Sequence, residues 1–365
     1  MNRLEQLQQA GVSIWLDTLS RDLLQSGDFE RLVERGVTGA TSNPTIFAKA
    51  ITGSDAYDDQ LRDAFGRGIR DSKELFFELG LDDIRAAAGH LRGVYDTTSG
   101  GDGFVSFECT PDLADDAEGT IEQALDLWGR LSLPNVMIKV PATEAGLTAI
   151  EELTARGVNV NVTLLFSLER YEQVMDAYMS GLERRVADGE AIDGIASVAS
   201  FFVSRVDTKA DKLLPEGSPV RGKVAVANAH LAFARYERRF AGDRWEALER
   251  RGAKRQRPLW ASTGTKNPDY SDILYVEELI APGVVNTMPL ATIEAFADHG
   301  DVQKATDVDM AEDERVIADA SQAGVDLDKV TSELEREGVE SFVDSYRELI
   351  DCIEGKLQKV EPRAA

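Results

Sequence analysis

The sequence predicts a (β/α)8 barrel, an α/β fold of the TIM-barrel type with additional helices. Three observations predict it. Eight short apolar runs begin near residues 13, 39, 104, 136, 158, 195, 258 and 283, and each has the length and flanking turn residues of a strand. Helical patterns lie between most of them, as parallel strands joined by crossovers require. The alternative, a doubly wound sheet, would want a glycine-rich phosphate turn after its first strand. The segment that follows here, DTLSRD, contains no glycine.

Taken in order, residues 1–10 read as an amphipathic helix packing on the main body. SIWLDT, residues 13–18, is a strand ending at Asp17. Residues 20–36 read as one helix stopped by Gly36. Residues 39–42 are a short strand running into Asn43-Pro44. Residues 46–98 carry only helical patterns, with breaks at Gly53 and around Gly66 and Gly68. They are too long for one crossover, so a helical insertion is expected.

FVSFECT, residues 104–110, is the next strand, and residues 115–131 are a helix with an acidic first turn, which suits the helix dipole. Two strands, 136–140 and 158–166, flank a helix over about 143–156. A long helix follows over 167–188, with Ser167 as N-cap and Arg170 where a capping box would need Glu or Gln. Residues 195–206 form a strand with a basic exit. Helices over 207–252 break around Pro215 to Pro219. PLWAST, residues 258–263, and GVVNTM, residues 283–288, are the last strands, followed by a helix over 290–299. Residues 310–360 read as acidic, amphipathic C-terminal helices that either cover the barrel mouth or pack elsewhere. The last few residues are expected to fray. The whole, residues 1–365, reads as a single barrel domain with these two additions.

Composition narrows the function. The formal net charge is −25, which argues against nucleic acid or an anionic membrane surface as a partner. No apolar stretch approaches the roughly 20 residues of a membrane helix. Two distant cysteines, Cys109 and Cys352, make neither a disulfide framework nor a metal spacing, which suits a reducing cytoplasm. Three scattered histidines make a His-based metal site or triad a poor expectation. No metal site is expected.

The stretch from Leu133 to Phe166 organises the chain. Lys139 sits inside an apolar strand, between Ile138 and Val140. A charge does not belong in a strand buried on both faces unless it is paired or neutralised. A neutral lysine is a nucleophile that forms a Schiff base with a carbonyl; a lysine paired with a buried carboxylate is only structural. This stretch alone supports either reading.

Alternation along the strands adds partners for Lys139. Met137, Lys139 and Pro141 share one face, as do Asn159, Asn161 and Thr163. Ser106, Glu108 and Thr110 share another, as do Trp15 and Asp17, and Ser200 and Phe202. In a barrel the opposite, greasy faces meet the helices, and the polar faces converge on the axis and the catalytic mouth. A purely structural network of this size is expensive, because every member needs a partner. The set suits imine formation followed by carbon–carbon cleavage: a lysine nucleophile, two carboxyls to move protons, and amides and a hydroxyl to hold substrate hydroxyls. It does not suit hydride transfer or metal-assisted hydrolysis.

The segments IWLDTLSRDLL, GVTGATSNPTIF, VMIKVPATEAG, NVNVTLLFS, ASFFVSR and WASTGTKNPDYSD, running from residue 14 to about 272, resemble the transaldolase family in its own order. The length and the GTKNPDYSD loop resemble its longer bacterial form. The resemblance implies transfer of a dihydroxyacetone unit from sedoheptulose 7-phosphate or fructose 6-phosphate to glyceraldehyde 3-phosphate or erythrose 4-phosphate, in the non-oxidative pentose phosphate pathway, without a cofactor. It implies that Lys139 forms the imine and Asp17 handles the donor C4 hydroxyl. Glu108 would work through a water, which Thr163 helps to hold. Asn43 and Asn161 would bind the dihydroxyacetone unit, Ser200 its C1 hydroxyl, and Phe202 would lie beside the imine. Arg205 would bind phosphate.

One departure concerns the second phosphate ligand. Shorter members carry Ser-x-Arg after the seventh strand; this chain has Ser262, a longer loop and Lys266. Lysine lacks the bidentate fork of arginine and would act as a point charge. Two other readings stand beside transfer: a fructose 6-phosphate aldolase-like enzyme and a non-catalytic barrel that binds a sugar phosphate. The aldolase relatives are shorter and have glutamine and tyrosine where Glu108 and Phe202 stand, so these two residues favour transfer. The expected partners are sugar phosphates, with no nucleic acid and no membrane, in a cytoplasmic monomer or homodimer.

Overall fold

Hydrogen bonding along the sheet runs in chain order and closes on itself, so none of the described strands is an edge strand. The computed structural model describes residues 2–302 and 309–360. Its eight parallel strands are Ser13–Leu16 (β1), Gly39–Thr41 (β2), Val105–Glu108 (β3), Val136–Pro141 (β4), Val160–Leu165 (β5), Ser197–Phe202 (β6), Arg257–Ala261 (β7) and Val285–Met288 (β8). The predicted (β/α)8 barrel is therefore the observed fold. Register aligns the site: Glu108 pairs with Lys139, Lys139 with Asn161, and Pro141 with Thr163. Three consecutive strands thus present polar residues at one level of the barrel, at the end of β3, the middle of β4 and the start of β5.

The helices are Arg3–Gln9 (α1), Arg21–Gln25 (α2), Asp28–Glu34 (α3), Pro44–Gly53 (α4), Asp58–Gly66 (α5), Ser72–Thr97 (α6), Ala117–Leu131 (α7) and Glu144–Ala155 (α8). They continue with Leu168–Ala187 (α9), Ser204–Leu213 (α10), Val224–Arg239 (α11), Asp243–Glu249 (α12), Leu274–Glu277 (α13), Leu290–His299 (α14), Met310–Gln322 (α15) and Leu327–Val360 (α16). Polar N-caps start the main ones. Asn2 closes a capping box with Glu5, Asn43 accepts from the Ile46 N–H, and Ser167 accepts from the Arg170 N–H.

Three local features differ from the sequence expectation. The single helix over 20–36 is two helices, because Gly27 adopts a left-handed conformation (φ +77°) between them. The strand expected over 195–206 ends at Phe202, where the Val203 and Ser204 N–H groups still donate to Ala261 and Ser262 but the chain turns into α10. Arg205 therefore rides in the first turn of a helix, not on a strand. In β5 the register shifts between Val162 and Leu165, and Leu164 has φ +60°. Strict alternation would put Leu164 on the face opposite Thr163, among the outer helices; the bulge instead brings its side chain against Gly338 of α16. Between β2 and β3, α6 packs on α3 and β3, while α4 and α5 pack under α16. The fraying expected of the last few residues concerns positions 361–365, outside the described residues.

The core is one contiguous apolar cluster. Within it, α2, α5 and α6 are fastened by a buried polar knot. Arg21 Nε donates to Asp83 Oδ1 at 2.8 Å, the Tyr57 hydroxyl donates to Asp83 Oδ2 at 2.9 Å, and Arg21 Nη2 donates to the Leu79 carbonyl at 3.1 Å. Removing one member of a buried pair strands the other charge. Asp83→Ala is expected to lower the unfolding free energy by about 3–5 kcal/mol in urea denaturation. A loss within the few tenths typical of surface changes would contradict that account.

Candidate active site

Lys139 is 5% exposed, in the middle of β4, and its Nζ donates to the Ser42 carbonyl at 3.2 Å. Glu108, on the neighbouring strand, brings Oε2 to 3.7 Å of Nζ, an ionic contact too long for a hydrogen bond. Among the described residues, that oxygen accepts no hydrogen bond. Burial pushes the Glu108 carboxyl up to about 7, against the pull of the Lys139 charge, and Asp17 adds to the rise. Asp17 lies just past the end of β1. It keeps some surface open to the cavity but sits deep enough for burial to raise its carboxyl, partly offset by Lys139, by Thr41 and by Arg205. Thr41 Oγ1 donates to Asp17 Oδ1 at 3.1 Å, so the 3.0 Å contact between Thr41 and Thr287 takes its proton from Thr287.

A hydrogen-bonded chain crosses the barrel beside the lysine. Ser200 Oγ donates to Asn161 Oδ1 at 2.7 Å, and Asn161 Nδ2 donates to Ser106 Oγ at 2.8 Å. Asn43 uses its Oδ1 to cap α4 at 2.9 Å from the Ile46 nitrogen, leaving its amide N–H group without a protein partner among the described residues. Thr163 Oγ1 is buried with no hydrogen-bond partner among the described residues.

Two cations edge the mouth. The half-buried Arg205 guanidinium lies 4.9 Å from the Phe202 ring centroid. Its pKa is lowered by burial, and Asp17 opposes the shift. The amine of Lys266 is lowered as well, first by the protein around it and then by the charge of Arg205. Neither cation has a hydrogen bond or ion pair among the described residues. Ser262 turns the chain here with φ +56°, and its Oγ is 2.9 Å from Ser204 Oγ, next to Arg205. The loop carrying Lys266 is tied to α10 because the Tyr270 hydroxyl donates to Asp211 Oδ2 at 2.7 Å.

One cavity is lined by Asp17, Asn43, Lys139, Thr163, Ser200, Phe202, Arg205 and Ser262 of the residues expected from sequence. Glu108 instead lines a neighbouring cleft that shares Asn43. Asn161 lies behind the lining, fully buried, and Lys266 stands outside it, exposed. Among the described residues, no three His, Cys, Asp or Glu side chains are grouped to hold a metal ion.

The sequence profile described as Transaldolase/Fructose-6-phosphate aldolase matches residues 14–353. The chain belongs to this transaldolase/fructose-6-phosphate aldolase family. It is 51% identical to a protein named transaldolase from Frankia alni, over 98% of both chains. It is equally identical to transaldolases of Saccharopolyspora erythraea, over 99% of both, and Thermobifida fusca, over 97% of this chain and 98% of the relative.

Within the transaldolase-family barrel, sequence reasoning missed four lining residues: Thr41, Ala261, Thr287 and Phe342. Thr41 ends β2, two residues before Asn43, and Thr287 pairs with Trp15 near the end of β8; both positions were usable signals. Phe342 gave none, because an apolar residue on an amphipathic helix reads as ordinary docking surface.

Glu108 yields a stability test with a definite sign. Between its ordinary value of 4.5 and about 7, the folded protein holds a proton that the unfolded chain has lost. Stability therefore falls as pH rises through that window. Glu108→Gln removes the titration. The stability of the native protein relative to this variant is expected to drop by up to about 3 kcal/mol across the window, read by urea denaturation at each pH. A pH-independent difference would show that the carboxyl is not raised.

Proposed function

We propose that this chain is a transaldolase that moves a dihydroxyacetone unit between sugar phosphates through a Schiff base on Lys139. The observation that carries the reading is a buried lysine flanked by two carboxyls of raised pKa, in a cavity lined by Arg205 with Lys266 just outside it, neither cation paired among the described residues. Attack on the donor ketone requires an amine without its extra proton, and Glu108, 3.7 Å away, is a base within reach. A carboxyl that titrates near 7 takes that proton and later hands one to the carbinolamine hydroxyl as it leaves as water. The buried oxygens Glu108 Oε2 and Thr163 Oγ1 lack partners among the described residues, which supports their sharing a water in these steps.

Asp17 then takes the proton of the C4 hydroxyl. The C3–C4 bond breaks, an aldose phosphate leaves, and its electron pair remains on the lysine-bound enamine. The enamine attacks the carbonyl carbon of the acceptor aldehyde, whose oxygen recovers the proton from Asp17. Hydrolysis of the imine returns the amine. Ser200, the amide of Asn161 and the free N–H group of Asn43 are the hydrogen-bonding groups we assign to the dihydroxyacetone unit. Arg205, Lys266 and Ser262 are assigned to phosphate. Phosphate at this edge would neutralise two adjacent positive charges, a local gain that offsets repulsion from a chain of net charge −25.

Glu108 and Phe202, where aldolase relatives have glutamine and tyrosine, favour transfer over release. Both cysteines are free thiols, as a reducing cytoplasm would keep them. No helix among the described residues is long and apolar enough to cross a membrane.

Borohydride reduction in the presence of fructose 6-phosphate, read by intact mass, is expected to add one dihydroxyacetone unit to the native chain and none to Lys139→Ala. A native chain with no adduct would leave a sugar-phosphate binder. Product formation that is indifferent to an acceptor aldehyde would indicate an aldolase. Arg205→Ala is expected to raise KM for phosphorylated donors more than it lowers kcat. Equal loss on unphosphorylated donors would remove the arginine from the phosphate site.

A further inference from the structure

The C-terminal helix brings a ring into the mouth that the mechanism above does not use. Phe342 is 6% exposed, shares the cavity of Lys139 and Asp17, and has its ring centroid 5.8 Å from Lys139 Nζ. Apart from Phe202 and Ala261, the rest of the lining is polar.

The ring is held in place. Gly338, Phe342 and Tyr346 are spaced four apart and share one face of α16. Gly338 meets β5 so closely that a Cβ there would lie 2.9 Å from Leu164 Cδ2. The Tyr346 ring packs 6.1 Å from that of Phe76. Polar contacts fasten the helix on both sides of the ring. Lys209 binds Glu333 and Glu337 at 2.7 and 2.6 Å, Thr45 donates to Ser345 at 2.6 Å, and Lys356 reaches Asp58 at 2.6 Å.

A carbon joined to Nζ by a C–N bond of about 1.3 Å, on the side of the ring, falls within van der Waals reach of it. That carbon and its neighbour form the enamine. The enamine electron pair has two fates. It makes a C–C bond to an acceptor aldehyde, whose oxygen takes up a proton. Or it takes a proton itself, giving an iminium that one water hydrolyses to free dihydroxyacetone and the lysine amine. The second fate needs a water-borne proton at the carbon before an aldehyde arrives.

We propose that Phe342 is a specificity-determining residue that shields the enamine carbon from solvent, so that the three-carbon unit is transferred and not released. The inference rests on the transaldolase reading.

The test uses the full chain with Phe342→Ala and Phe342→Leu. With fructose 6-phosphate as donor, dihydroxyacetone released without acceptor is compared with sedoheptulose 7-phosphate formed from erythrose 4-phosphate. The ratio of release to transfer is expected to rise roughly tenfold or more in the alanine variant, and less in the leucine variant, while the borohydride adduct persists in both. If Phe342→Ala fails to fold, the leucine variant decides by the same ratio. An unchanged ratio, with both rates falling together, would mean that the ring only packs and would overturn the proposal. In that case an intact native adduct and native transfer leave the transaldolase reading standing. A native chain without adduct or transfer defeats both.

Discussion

Burying an ammonium and a carboxyl side by side in a barrel is the constraint on which the rest of the site depends. At an effective dielectric of about 20, unit charges some 4 Å apart attract by ~4 kcal/mol. Removing each from water costs several kcal/mol. With Lys139 and Glu108 at 3.7 Å and both nearly inaccessible, attraction does not repay that cost for the carboxylate, and Glu108 is driven up to about 7. Glu108 can thereby take up or give back a proton near neutrality, as a general acid/base requires. The Ser42 carbonyl, the one hydrogen-bond acceptor of the amine among the described residues, steadies it without adding a second permanent negative charge.

The barrel makes this placement possible by register. Glu108, Lys139 and Asn161 stand directly opposite one another on consecutive strands, so their spacing is set by the sheet and not by side-chain reach. Around this fixed row the mouth is built from mobile chemistry on rigid supports. Arg205 starts α10, and the loop bearing Lys266 is tied back to the same helix through Tyr270 and Asp211, while Tyr275 donates to Asp207 one turn earlier at 2.9 Å. The two cations are thus brought together by one helix, although each alone would relax toward solvent.

The additions to the barrel bear on the same end. Helix α16 runs across α4, α5 and α6 and reaches the exit of β5. The bulge at Leu164 and the missing side chain at Gly338 let it settle there. A cavity otherwise rich in polar groups gains an apolar roof from a segment more than 300 residues from Asp17 in the chain.

The order of strands and helices was legible because burial on two faces leaves continuous apolar runs and crossovers leave helical ones. Lys139 was conspicuous because charge inside such a run is costly, and alternation was enough to put Asp17, Thr163 and Ser200 on its side. Alternation failed where local geometry departs from a regular strand, at the β5 bulge and at the early start of α10, since neither leaves a hydrophobic-pattern signal. Sequence alone also left two possibilities for Lys139, a structural ion pair or a reactive amine. Only the folded chain set its distance to Glu108, opened a cavity beside it, and brought α16 across the mouth, because those are contacts between segments remote in sequence, governed by packing and not by any residue's own preference.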